Sequence, residues 1–198
     1  MGVIIIIFDF KNRVIQTKII FYGPAMSGKT TSIKCLFKHY NKINTLKSIE
    51  NSLGRTLVFD FGVLKFEGIE WTLKFLIYTA TGQDFYASTR TSTLKGADGI
   101  IFVIDSNYEH LNRNKRSWNE LNLFFGGDIY NIPILIAFNK YDLVDDNNFQ
   151  EEDFISREEL EKYCKISLKK TIATNGTGII ESFNLIINSI FPNITLKT

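Results

Sequence analysis

The chain has 198 residues, 44% of them hydrophobic and 22% charged, with a formal net charge of +2. That length is enough for one domain with a sizeable core, and the proportions are those of an ordinary soluble globular protein. So mild a charge balance argues against a surface built for nucleic acid or for an anionic membrane.

The first element expected is a strand over Val3–Phe8, the most apolar run of the chain. It is too short to span a bilayer and lacks the basic start and small-residue cleavage site of a signal peptide. Position 6 is Ile rather than Ser or Thr, so the myristoylation pattern fails after Gly2. A turn at Asp9–Arg13 leads to a second strand, Val14–Tyr22, followed by a helix over Lys29–Tyr40. Thr56–Phe66 and Trp71–Tyr78 read as strands joined by a hairpin at Glu67-Gly68. Gly99–Ile104 is short, apolar and β-branched, as suits a strand buried on both faces.

Leu111–Phe125 is expected to be helical, and Pro133 opens a strand to Phe138, where its missing N–H costs least. The acidic stretch Asp142–Asp153 reads as solvated, since it lacks the glycine and spacing of a calcium loop. Ser156-Arg-Glu-Glu159 is a capping box, and Lys165–Ile172 a final strand. Ile179, Ile180, Phe183, Ile186, Ile187 and Ile190 recur at helical spacing, so the last helix buries one stripe. Strands alternating with helices make this an α/β chain, a mostly parallel sheet with covering helices. No linker or repeat divides it, so residues 1–198 are expected to form a single domain. Two cysteines without a CxxC pair and two distant histidines suit a reducing compartment and make no zinc site.

Two motifs carry chemistry. Gly23-Pro-Ala25-Met26-Ser27-Gly28-Lys29-Thr30 fits G-x-x-x-x-G-K-[ST] between a strand and a helix. Backbone N–H groups at such a helix start converge on phosphate oxygens, and the helix dipole helps. Gly28 lets the backbone curl, Lys29 adds charge between β- and γ-phosphates, and Thr30 offers a hydroxyl to Mg²⁺. Far downstream, the Pro133–Phe138 strand runs into Asn139-Lys140-Tyr141-Asp142. A carboxylate at a strand end accepts two hydrogen bonds from guanine, a pair that adenine cannot supply, and a site built on them rejects the wrong base. Lys140 can lie along the base and contact the phosphate loop, Asn139 can tie the two segments together, and the N–H of Ala173 can meet guanine O6.

With these residues the chain resembles the Ras-like small GTPases over Lys18–Phe191, and within them the MglA group. The matching stretches are Gly23–Thr31, Arg55–Phe61, Thr79–Tyr86 and Leu94–Ser106. The resemblance implies a three-layer P-loop G domain with an extra N-terminal β-hairpin strand. It implies a switch that binds GTP and GDP with Mg²⁺, hydrolyses GTP slowly, and is stimulated by a small roadblock-type regulator. The implied roles are Gln83 for the attacking water, Gly82 for the γ-phosphate, Thr56 for Mg²⁺ and Arg55 as an arginine supplied in cis. Thr31 closes the phosphate-binding set. The missing signal and lipidation patterns, with the mild charge, lead separately to the expectation of a cytoplasmic chain with no intrinsic membrane anchor and no nucleic acid partner.

Thr79 occupies the place where most small GTPases carry an Mg²⁺-supporting Asp, and the MglA group is similar to this chain in carrying Thr there; the departure from that group is Ala80-Thr81, where its bacterial members tend to read Val-Pro. Asp60, inside the apolar run TLVFDFGVL, either takes over that role or faces solvent from its strand. A nucleotide-dependent binding module with negligible hydrolysis is the second reading. An ATP-using P-loop enzyme is a third, opposed by Asn139–Asp142. Asn41–Thr56 and Ala80–Lys95 are the expected switch segments, and Gly62 would ease a register shift of its strand.

Overall fold

Eight strands form one sheet, and six helices cover it, in a computed structural model that describes residues 6–50, 56–80, 87–143 and 149–192. The strands are β1 Ile7–Asp9, β2 Val14–Tyr22, β3 Lys47–Glu50, β4 Thr56–Glu67, β5 Thr72–Thr79, β6 Gly99–Asp105, β7 Ile134–Asn139 and β8 Ile166–Lys170. The helices are α1 Lys29–His39, α2 Ala87–Leu94, α3 Leu111–Phe125, α4 Glu151–Phe154, α5 Arg157–Leu160 and α6 Ile179–Ile190. The sheet order is β3-β4-β5-β2-β6-β7-β8. Pairing is parallel from β5 through β2, β6 and β7 to β8, and antiparallel at β3–β4 and β4–β5. This is the three-layer α/β fold expected, with the extra strand in place. β1 pairs antiparallel with Val14–Gln16 of β2, and β6 takes up the same edge only from Ile19 onward.

The continuous apolar strands are explained by burial on both faces. Ile19 and Phe21 of β2, with Ile101, Val103, Leu135 and Ala137, pack against α1 and α6. Their neighbours Ile20, Tyr22, Ile100, Phe102, Ile104, Ile134 and Ile136 pack against Trp118 and Leu121 of α3 and Phe154 of α4. The stripe on α6 behaves as read, with Ile179, Phe183, Ile186, Ile187 and Ile190 all buried. No described helix is long and apolar enough to cross a membrane.

Several boundaries differ from expectation. β3 and α2 were not foreseen; they lie in the two segments read as switches, where polar residues gave no period. Much of those segments, residues 51–55 and 81–86, lies outside the described residues, as do residues 1–5 of the expected first strand. The acidic stretch is not wholly a solvated loop, because it ends in α4, capped by reciprocal bonds between Gln150 and Asp153. Ser156 does cap α5, accepting from Glu159 N at 3.2 Å. Glu159 turns its carboxylate instead to the indole N–H of Trp118, at 2.7 Å. A buried indole that needs an acceptor outcompetes the cap. Gly62 has a packing reason besides any register effect: a Cβ there would lie 2.4 Å from the ring of Phe37.

Candidate nucleotide site

The carboxyl ends of β2, β6 and β7 meet at one edge of the sheet, where a ligand site is expected in an α/β fold. The phosphate loop leaves β2 after Tyr22 and enters α1 at Lys29. Gly23 has φ +140°, and a Cβ would stand 2.1 Å from the carbonyl oxygen of Val103. Gly28 caps α1 at φ +103°, and a Cβ would stand 2.1 Å from Asn139 Nδ2. Both positions therefore demand glycine. Met26 takes a positive φ of 64° without being glycine and is 67% exposed. Such strain in a loop persists where the surroundings impose it.

Lys29 is buried, and its Nζ donates to the carbonyls of Gly23 at 2.9 Å and Pro24 at 2.6 Å. Its ammonium is thereby folded back over the loop. The first turn of α1 carries no acidic residue, so the positive end of the helix dipole is not neutralised from within. Ser27 is fully buried, and its Oγ has no protein partner. Thr31, on the exposed side of the same turn, borders a hollow of about 550 Å³ shared with Ala173, Thr174 and Asn175. Ala25 accepts a hydrogen bond from Arg113 Nη2, an α3 contact that no sequence signal announced.

Thr79 is drawn into a cluster with an acid and a second hydroxyl. Phe61 pairs with Tyr78 across the antiparallel β4–β5 ladder, and one step further along it Asp60 faces Thr79. Asp60 N donates to Thr79 Oγ1 at 2.7 Å, and Thr79 Oγ1 donates to Asp60 Oδ2 at 2.9 Å. The same carboxylate oxygen accepts from Thr30 Oγ1 at 2.7 Å. Asp60 is 0% exposed, so the solvent-facing alternative for it is overturned. Side-chain alternation explains why: Gly62 and Leu64, two and four residues on, pack on the α1 side, and Asp60 shares their face. One carboxylate and two hydroxyls form a hard, all-oxygen donor set of the kind Mg²⁺ takes together with phosphate and water. Among the described residues no group of three or more His, Cys, Asp or Glu gathers as a metal cage. Thr56 opens β4, but its side chain lies outside the described residues.

On the base side, Asn139 ties three segments together. Its Nδ2 donates to Ser27 O of the phosphate loop at 2.7 Å. Its Oδ1 accepts from Ala173 N at 2.9 Å and from Thr171 Oγ1 at 3.3 Å. The tie read from the sequence is present, and it extends to the Ala173 loop. The Ala173 amide expected to meet guanine O6 is thus engaged by Asn139, and a base carbonyl would share it. Lys140, at φ +61°, directs its Nζ to Asp105 Oδ2 at 2.7 Å rather than to the phosphate loop. Asp105 ends β6 and was not singled out, although an acid closing an otherwise apolar strand is a visible signal. Asp142 lies on the exposed turn Tyr141–Leu143. Tyr141 beside it is held by Lys170, whose Nζ takes a 2.7 Å bond with its hydroxyl, and that bond keeps the ammonium's pKa above the usual lysine value. Arg55, Gly82 and Gln83 lie outside the described residues.

A family model for the ADP-ribosylation factor family, Arf, matches residues 5–190. The chain belongs to this family of Ras-like small GTPases. Among curated relatives it is similar to the mutual gliding-motility protein MglA of Myxococcus xanthus, 31% identical over 94% of this chain and 96% of that one. It is also similar to the Ras-related protein Rab7 of Cenchrus ciliaris, 28% identical over 89% and 82% of the two chains. The Ras-related protein RABG3f of Arabidopsis thaliana is 29% identical over 85% and 79%. The resemblance to the Ras-like GTPases and to the MglA group is borne out, and the phosphate loop and Asn139 of this small GTPase converge within hydrogen-bonding distance.

Proposed function

We propose that the chain is a guanine-nucleotide switch: one G domain over residues 1–198 that binds GTP and GDP with Mg²⁺ and hydrolyses GTP slowly unless a regulator stimulates it. The observation that supports this reading is the bond from Asn139 to Ser27, which joins the loop that would bind the phosphates to the strand end that would read the base. Gly23, Ala25, Met26, Ser27, Gly28, Lys29, Thr30 and Thr31 would cradle the phosphates through backbone N–H groups and one ammonium. Asp142 would read the base, flanked by Lys140 and Ala173.

Mg²⁺, when bound, neutralises charge on the phosphates. Thr30 and Thr56 would hold it, and Asp60 would support it in place of the missing acid at Thr79. Gly82 would meet the γ-phosphate, Gln83 would orient water, and Arg55 would add a cation worth ~10³–10⁵ in rate. A roadblock-type regulator is the expected partner, by analogy with the MglA group, and a cytoplasmic setting fits the composition.

A second reading, a binding module with negligible turnover, has its support in Thr79, which is not an acid. The Asp60 contact weakens that support. The test is fluorescent GDP binding with GTP or ATP as competitor, followed by single-turnover GTP hydrolysis with and without a roadblock dimer. Displacement by GTP alone and hydrolysis accelerated by the dimer are expected. Equal displacement by ATP sinks the base assignment, and absent hydrolysis under both conditions favours the binding module.

A further inference from the structure

We propose that Asp105 is a positioning residue for the guanine base, acting through Lys140; the inference rests on the guanine-nucleotide reading above. Asp105 closes β6 and pairs in parallel register with Asn139, the residue that begins the base motif. Its carboxylate is buried and holds the Lys140 ammonium at 2.7 Å.

The carboxylate is itself fixed from several sides. Oδ1 accepts from Asn107 N at 3.1 Å. Asn114, fully buried on α3, clamps the Asp105 backbone: its Oδ1 accepts from Asp105 N at 3.2 Å and its Nδ2 donates to Asp105 O at 2.8 Å. His110 Nε2 stands 3.7 Å from Oδ2, so the acid has a cationic partner on one side and an imidazole on the other. The residue before Asn114, Arg113, reaches the phosphate loop at Ala25, so one turn of α3 braces both halves of the site.

Lys140 gains from this in two ways. Its backbone sits in the left-handed region at φ +61°, a state a non-glycine residue keeps only when its surroundings over-determine it. Its side chain is a flexible four-carbon stem, and anchoring the ammonium on an immobile carboxylate orders that stem before any ligand arrives. Asp142 follows two residues later on the same turn. The ordered stem would thus form one wall beside the group that reads the base. Without Asp105 the stem must be ordered at the moment of binding, a preorganisation loss of about tenfold in retention.

The test is the release rate of fluorescent GDP from the wild-type chain, Asp105→Asn, Lys140→Met and the double variant. Asp105→Asn keeps an Oδ1 acceptor for Asn107 and replaces the charged Oδ2 acceptor that faces Lys140 with an amide donor. It is expected to release nucleotide about tenfold faster, and the double variant no faster than Lys140→Met alone. A purely structural role for Asp105 predicts its full effect on top of Lys140→Met, and that additivity overturns the proposal. So does release from Asp105→Asn at the wild-type rate. Should Asp105→Asn not stay folded, Asp105→Glu keeps the charge but displaces it; it is expected to speed release about threefold when Lys140 is present and not at all in Lys140→Met. No change in either background overturns the proposal. A wild-type chain that retains no fluorescent GDP overturns the nucleotide reading itself, and this inference with it.

Discussion

On the proposed base side Asn139, Lys140 and Asp142 follow one another off the end of β7, whereas on the proposed metal side Thr30 comes from a helix and Asp60 and Thr79 from two strands, 19 residues apart in the chain. The first arrangement is contiguous, so a short run of letters carries it. The second exists only through the β4–β5 register, which places Asp60 opposite Thr79 on the face turned toward α1.

This comparison can be broken at either end. The largest effect is expected where both sides depend on the phosphate loop. Lys29→Ala removes a buried ammonium and should weaken GDP binding by about a thousandfold, read by fluorescent titration; retention within tenfold would remove the loop from the account. Next is the base side. Asp142→Asn replaces an acceptor with a donor and should lower the preference for GDP over xanthosine diphosphate by about a hundredfold. A competition titration reads this, and an unchanged preference would mean that the exposed Asp142 does not read the base.

The metal side should respond more modestly. Asp60→Ala is expected to raise the Mg²⁺ concentration needed for GTP retention about thirtyfold. The exchange Asp60→Thr with Thr79→Asp should recover most of that loss, because the two side chains face each other. A swapped variant no better than Asp60→Ala would show that the two strand positions are not equivalent. Thr79→Ala alone leaves the acid in place but strips it of one donor and takes the Thr79 acceptor away from Asp60 N. It should shift Mg²⁺ dependence only about fivefold; an effect as large as that of Asp60→Ala would make Thr79, not Asp60, the central group.

The same contrast governs what could be read in advance. The strands β6 and β7 were legible because they are buried on both faces and so are nearly continuous apolar runs, and β2 because it ends in the buried apolar run Ile19–Tyr22. The last helix was legible from its isoleucine period. β3 and α2 were not, since KSIE and ASTRTSTL carry neither a period of two nor one of 3.6, and their placement depends on the sheet edge beside them. Asp60 was visible as an oddity, a charge inside an apolar strand, but its two readings could be separated only by its burial and its bond to Thr30.

By itself the sequence determined the order of the long strands and helices, the phosphate loop and the Asn139–Asp142 motif, because each depends on neighbours along the chain and on local backbone preference. Tertiary structure alone decided that Asp60 meets Thr30 and Thr79, that Asn139 grips Ser27, and that Lys140 turns to Asp105. Those contacts are set by strand register and by how α1 and α3 sit against the sheet, and register is a property of paired strands that no single strand contains.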